Sequence, residues 1–194
     1  MRILSILGRP GAGKGTQIKL LLEQTGFEAI KTGDLLRDRS KKGDAVGDKL
    51  RDILDNGLLV PTPIVFSLWM PKLEQIYNEG KVKGIIFDGN PRKLYEAMML
   101  EELCLMFGWA KNFRACYINV HEEEAEKRLL ERGRFDDNNK EIQERFSWFN
   151  NEVMEVVERY RKMGVLVEVN GTQPVEAVHR DIFGNLGSFL DDLN

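Results

Sequence analysis

Short apolar runs alternate with longer amphipathic stretches along the whole chain. Residues 3–7 (ILSIL), 84–88 (GIIFD), 115–120 (ACYINV) and 165–169 (VLVEV) read as buried strands, and 27–30 (FEAI) as a weaker one. Short, mostly apolar runs of this kind suit strands covered on both faces. Between them the apolar positions recur at helical spacing. Residues 13–26 predict a helix closed by Gly26, and residues 43–57 an amphipathic helix ending at Gly57. Residues 62–80 predict a helix with Thr62 as N-cap and Pro63 at its first position. Residues 121–133 start acidic and end basic, as a helix dipole favours, and residues 140–164 form the longest helical pattern. Strands alternating with helices predict an α/β fold. We expect a three-layer sandwich in which a parallel five-stranded sheet is covered by helices on both faces. Functional residues in such a fold collect at the carboxyl ends of the strands.

The first strand pattern runs directly into Gly8-Arg9-Pro10-Gly11-Ala12-Gly13-Lys14, which fits G-x-x-x-x-G-K between a strand and a helix. That spacing and context define a phosphate-binding loop. Its glycines let successive backbone N–H groups turn inward on an anion, and the helix that follows points its N-terminus at the same spot. Lys14 adds a mobile positive charge for β- and γ-phosphates. At the tip of the GIIFD strand, Asp88 reads either as a partner of Mg²⁺ through its waters or as a turn aspartate before Gly89.

Composition narrows the class. The 194 residues are 42% apolar and 30% charged, as in a folded globular domain, and long enough for one substantial core. A net charge of −3 argues against a nucleic-acid binder with a basic face. No apolar run approaches membrane-spanning length, and no leader peptide is expected after Met1. The two cysteines, Cys104 and Cys116, lie far apart in apolar surroundings. They read as buried thiols of a cytosolic protein and are too few for a structural zinc site.

The full opening, GRPGAGKGT, resembles that of adenylate kinases and related nucleoside monophosphate kinases. The family's other motifs follow in order: TGDLLR from Thr32 to Arg37, GLLVP from Gly57 to Pro61, DGNPR from Asp88 to Arg92, RLLERG from Arg128 to Gly133, RFDDN from Arg134 to Asn138, and EIQER ending at Arg145. The resemblance covers nearly the whole chain. It implies a core of residues 1–31, 62–131 and 146–194, a monophosphate-binding segment 32–61 and a short lid 132–145. The activity implied is reversible, Mg²⁺-dependent transfer of the γ-phosphoryl of ATP to AMP, giving two ADP, by a cytoplasmic monomer.

Site roles follow from the same resemblance. Gly11, Ala12, Gly13, Lys14, Gly15, Thr16, Arg128, Arg132 and Gly171 would bind ATP. Thr32, Gly33, Arg37, Leu58, Val60, Gly89, Arg92, Glu96, Arg134 and Arg145 would bind AMP, and Lys14, Arg92, Arg132, Arg134 and Arg145 would serve catalysis. Asp88 would touch the metal through water. From the residues alone, Leu58 and Val60 could equally be core positions, and Asp136 and Asp137 could be a solvated turn or could orient the lid arginines.

Two positions depart from the family. Asn90 stands where an aromatic residue is usual, and Glu96 where a glutamine reads the acceptor adenine. A carboxylate only accepts hydrogen bonds, so it matches the paired donors of guanine better than the edge of adenine. A guanine or pyrimidine acceptor is therefore an alternative to AMP, unless Glu96 points away from the base. Two further readings are a small kinase with a non-nucleotide acceptor and a nucleotide-binding sensor without turnover.

Overall fold

The computed structural model describes residues 1–133 and 139–191. Five strands form one parallel sheet: β1 (Arg2–Leu7), β2 (Glu28–Lys31), β3 (Gly84–Asp88), β4 (Phe113–Asn119) and β5 (Leu166–Asn170). Their spatial order is β2-β3-β1-β4-β5, with β1 at the centre of the expected five-stranded parallel sheet. Register pairs Ile6 with Asp88 and with Cys116, so the carboxyl ends of β1, β3 and β4 lie side by side. The chain first crosses from β1 to one side of the sheet, then returns past β1 to the other. The crevice where this direction changes is where open α/β sheets place their ligands.

Helices cover both faces. They are α1 (Lys14–Thr25), α2 (Thr32–Ser40), α3 (Ala45–Asp55), α4 (Thr62–Glu79), α5 (Leu94–Met106), α6 (Glu122–Arg132), α7 (Asn139–Trp148), α8 (Met154–Lys162) and α9 (Val175–Asp191). One apolar cluster joins Ile3, Phe87, Trp69, Leu73 and Tyr160 beneath α4, α5 and α8. The other joins Ile6, Ile18, Ile118, Phe146 and Ile182 beneath α1, α6, α7 and α9. Each fully buried aliphatic or aromatic side chain of this kind contributes about 1.5–3 kcal/mol.

Local chemistry accounts for most element ends. The Asp44 carboxylate caps α3 by accepting from the Gly47 N–H at 2.8 Å. Three glutamates open α6 and Arg132 closes it, complementing its dipole. Helix α4 begins at Thr62 itself, one residue earlier than the N-cap assignment, because Pro61 takes the cap position. The long helical pattern of residues 140–164 is interrupted by a π-helical segment, Phe149–Val153, between α7 and α8. Helix α5 has no helical period in its sequence because apolar residues occur all round it, and the pattern of α9 is interrupted by Gly184 and Gly187. No helix among the described residues is long and apolar enough to cross a membrane.

Candidate active site

The loop between β1 and α1 wraps the end of the central strand. Gly8, Gly11 and Gly13 all have positive φ, and Gly13 is the N-cap of α1. Gly11 shows why only glycine fits: a Cβ there would lie 2.3 Å from the Ala125 carbonyl oxygen, and φ is +84°. The loop therefore packs directly on α6. Gly15 and Thr16 are exposed in the first turn of α1, and the N–H groups of Ala12 and Thr16 brace the turn by donating to the carbonyls of Arg9 and Gly13 at 3.0 and 3.1 Å.

Lys14 lies over this loop, its Nζ donating to the carbonyls of Gly8 at 2.7 Å and Arg9 at 3.0 Å. Burial pulls its pKa down to about 7; Asp88 opposes the shift, while Arg92, Arg145 and Arg132 add to it. The residue types named by the motifs thus converge from four separate parts of the chain. A Cβ placed on Gly89 would sit 3.5 Å from Lys14 Cε and 3.7 Å from Arg92 Nη2, which puts Gly89 between the two cations. A cavity of about 60 Å³ lies at this point, bounded by Gly8, Lys14, Gly89, Arg92, Arg145 and Trp148. A wider groove of about 750 Å³, beside Leu94, Met154 and Met163, lies apart from this cation cluster.

Arg92 is held on several sides. Its Nε donates to the Gly89 carbonyl at 2.9 Å, and its guanidinium carbon lies 5.3 Å from the centre of the Trp148 ring. Burial lowers its pKa; Glu96 opposes this, Arg145 adds to it, Asp88 opposes it and Arg37 adds to it, so Arg37 and Arg145 face the same place. Arg37 pairs with Asp34 at 2.6 Å and folds over Gly33, where a Cβ would meet its Nη atoms at 3.3 Å.

The donor side is brought together as well. Arg128 donates through Nη1 to the Gly171 carbonyl at 3.0 Å and pairs through Nε with Glu124 at 2.8 Å. A Cβ on Gly171 would lie 2.5 Å from Ile118 Cγ2, so the β5–α9 turn can close on β4 only with glycine there. Arg134, with Asp136 and Asp137, lies outside the described residues.

The acceptor side is less uniform. Thr32 is buried at the start of α2, and its hydroxyl has no hydrogen-bond partner. Val60 is buried in the core cluster shared with Leu36 and Val65, whereas Leu58 is exposed. Glu96 departs from the expectation that its carboxylate faces the acceptor base. It is buried, and Oε2 accepts from the Arg92 backbone N–H at 2.8 Å and from the Asn90 amide at 3.2 Å. Oε1 accepts from the Thr62 hydroxyl at 3.4 Å. The physical reason is local: Glu96 stands in the first turn of α5, where a carboxylate satisfies N–H groups that have no helical partner.

This arrangement sets what Glu96→Gln should do. Its carbonyl could still serve the Arg92 N–H, but its NH₂ would face a second donor, Asn90 or Thr62. We expect a stability loss of about 1–3 kcal/mol, the cost of an unsatisfied buried donor, with the ratio of AMP to GMP use unchanged. Denaturant unfolding and paired acceptor kinetics check both parts. An improved use of AMP at the expense of GMP would instead mark Glu96 as a reader of the base.

Lys14 yields a second prediction, with the sign set by its lowered pKa. At pH 8 a group titrating at about 7 is mostly neutral. A phosphate dianion beside it favours the charged form. Binding of a nucleoside triphosphate at pH 8 should therefore take up a proton, close to one per site at most. Calorimetric titration in buffers of different ionisation enthalpy measures this uptake, and Lys14→Met should remove it.

Three residues of the site have no role assigned from the sequence. Trp148 forms one wall, Asn90 joins the Glu96 cluster, and Arg9 braces the loop. The Arg9 guanidinium pairs with Glu122 at 2.9 Å and lies over the rings of Phe149 and Phe146, at 5.2 and 5.7 Å. Trp148 carries a signal that could be read from sequence: it follows Arg145 by three residues, on one helix face.

Comparison with known proteins agrees with this geometry. Residues 6–165 match the family model described as adenylate kinase. The chain is 36% identical to adenylate kinase 1 of Nostoc sp. over 188 residues, covering 97% of this chain and all of that protein. It is 35% identical to the adenylate kinase of Thermus thermophilus over 93% of this chain and 95% of that one. To the adenylate kinase of Archaeoglobus fulgidus it is 32% identical over 92% of this chain and 95% of that one.

Proposed function

This chain belongs to the adenylate kinase family of phosphotransferases, and we propose that it transfers the γ-phosphoryl group of ATP reversibly to AMP, giving two ADP. The observation that carries this reading is the convergence of Lys14, Arg92 and Arg145 on one cavity at the carboxyl ends of β1 and β3, with Arg132 near enough to act on the Lys14 charge. Phosphoryl transfer needs little covalent help; it needs positioning and neutralisation of charge on the moving group. Cations held this close repel one another, and the phosphates of two nucleotides relieve that repulsion.

In this reading the loop amides of Gly11, Ala12, Gly13, Gly15 and Thr16 bind the donor phosphates, and Lys14 follows the β- and γ-phosphates. Arg128 and Gly171 flank the donor base. Arg37 and Arg92 bind the acceptor phosphate, while Arg132, Arg145 and Arg134 neutralise the transferring group. Thr32, Gly33, Leu58, Val60 and Gly89 line the acceptor nucleoside. In this reading the chain divides into a core of 1–31, 62–131 and 146–194, an acceptor segment 32–61 and a lid 132–145, of which residues 134–138 lie outside the described residues.

Mg²⁺ fits the donor set. No group of three His, Cys, Asp or Glu that could hold a metal occurs among the described residues. Asp88 stands at the end of β3 within reach of the Lys14 charge. A cation carried by triphosphate oxygens and water, touched by one carboxylate through water, suits that arrangement. When bound, it would neutralise phosphate charge; no structural zinc is part of the reading.

Two isolated, buried thiols, Cys104 and Cys116, support a cytosolic setting, and a monomer is part of the reading. A guanine acceptor is favoured only by a free Glu96 carboxylate, and Glu96 has three internal donors. A sensor without turnover has no need of the arginine set. Rates with AMP, GMP, CMP and UMP under ATP and Mg²⁺ test the proposal: AMP should give the highest kcat/KM, and a higher value for another monophosphate would displace it as the acceptor.

A further inference from the structure

Trp148 touches two parts of the site that no motif connects. Its indole Nε1 donates to the Gly57 carbonyl at 2.8 Å, and its ring face lies 5.3 Å from the Arg92 guanidinium carbon. Gly57 closes the segment that follows α3, and a Cβ on it would lie 3.1 Å from the Glu141 carbonyl, so this point of the acceptor segment is seated on α7. The other two tryptophans, Trp69 and Trp109, are 2% and 4% exposed within the core. Trp148 is only partly buried and borders the phosphate cavity. The π-helical segment that starts at the next residue turns Phe149 into the core, leaving Arg145 and Trp148 together at the cavity, with Val153 below them.

We infer that Trp148 is a positioning residue for the acceptor: one ring face steadies the Arg92 fork, and the indole N–H fastens the acceptor segment to α7 at Gly57. This rests on the reading of Arg92 as a ligand of the acceptor phosphate. With Nε taken by Gly89 and one face covered by Trp148, Arg92 presents its remaining N–H groups in a fixed direction. A preset fork loses less freedom when it grips a phosphate bidentately. The two contacts of Trp148 are separable by substitution, because phenylalanine keeps an aromatic face and loses the N–H, whereas leucine loses both.

The test measures kcat and KM for donor and acceptor in Trp148→Phe and Trp148→Leu, using the monophosphate that the wild-type protein uses best. Trp148→Phe should raise the acceptor KM about five- to tenfold, the scale of one hydrogen bond, with kcat within about twofold and the ATP KM unchanged. Trp148→Leu should raise the acceptor KM further and also lower kcat about tenfold, as the cation–π support of Arg92 is lost. The difference in fluorescence between wild type and Trp148→Phe should respond to saturating monophosphate. An unchanged acceptor KM in Trp148→Phe overturns the inference, as does an equal rise in donor and acceptor KM in both variants. If Trp148→Leu fails to fold, Trp148→Phe alone decides. A wild-type protein that phosphorylates no monophosphate would overturn the proposed function, and this inference with it; that failure is seen before any variant is assayed.

Discussion

Replacing Lys14 with methionine should lower kcat about 10²- to 10³-fold while the protein stays folded. The ammonium group lies over the loop and beside the other cations, placed for charge that grows between donor and acceptor phosphates during transfer. Such an interaction is stronger in the transition state than in the ground state, so its loss should fall on kcat more than on KM. Methionine retains an unbranched stem of similar length, so little packing is lost. The stability comparison has a definite sign. The folded pKa of about 7 lies below the ordinary 10.5, so the unfolded chain binds more protons between those values and the wild type gains stability with rising pH there. Below pH 7 the charged lysine is a full burden on the fold, which methionine lacks. The variant's relative stability should therefore be best below pH 7 and decline towards pH 10.5, as followed by denaturant midpoints across that range. A variant with near-normal turnover would remove Lys14 from the transfer step.

Arg92→Lys should cost about 10²-fold in kcat although the charge is kept. Three features of Arg92 depend on the guanidinium: the Nε bond to Gly89, the stack on Trp148 and the remaining fork. Lysine offers one compact ammonium that cannot make all three contacts. Its backbone N–H would still serve Glu96, so the start of α5 should be intact. Steady-state kinetics with thermal unfolding separates the two effects: a large loss of kcat with little change in Tm is expected. Retention of full activity would show that a point charge suffices there and that the fork has no role.

Much of this architecture could be read from the chain because the residues that build it act locally. The strand runs of β1, β3 and β4 are mostly apolar and buried, as inner strands of a parallel sheet covered on both faces require, and the edge strand β5 keeps enough apolar positions to be read. The phosphate loop is visible because its backbone geometry demands glycine at fixed spacing, as the approach of Gly11 to Ala125 illustrates. What could not be read depends on distant contacts. Helix α5 is apolar on every side and offers no period to detect. The role of Glu96 turned on whether its carboxylate met a ligand or the N–H groups at the start of its own helix, and a motif alignment cannot distinguish these. Trp148 acquires its partners only when Gly57 and Arg92, at sequence separations of 91 and 56 residues, fold against it. Arg134 and the lid residues 134–138 lie outside the described residues, so their expected part in transfer is tested by kinetics.

The most direct measurement of the central claim starts from ADP alone. Purified protein incubated with ADP and Mg²⁺, and followed by phosphorus nuclear magnetic resonance, should produce ATP and AMP in equal amounts until equilibrium is reached. Only phosphoryl transfer between two bound nucleotides yields that pair. Release of inorganic phosphate, or unchanged ADP from a folded and nucleotide-binding protein, would contradict the account.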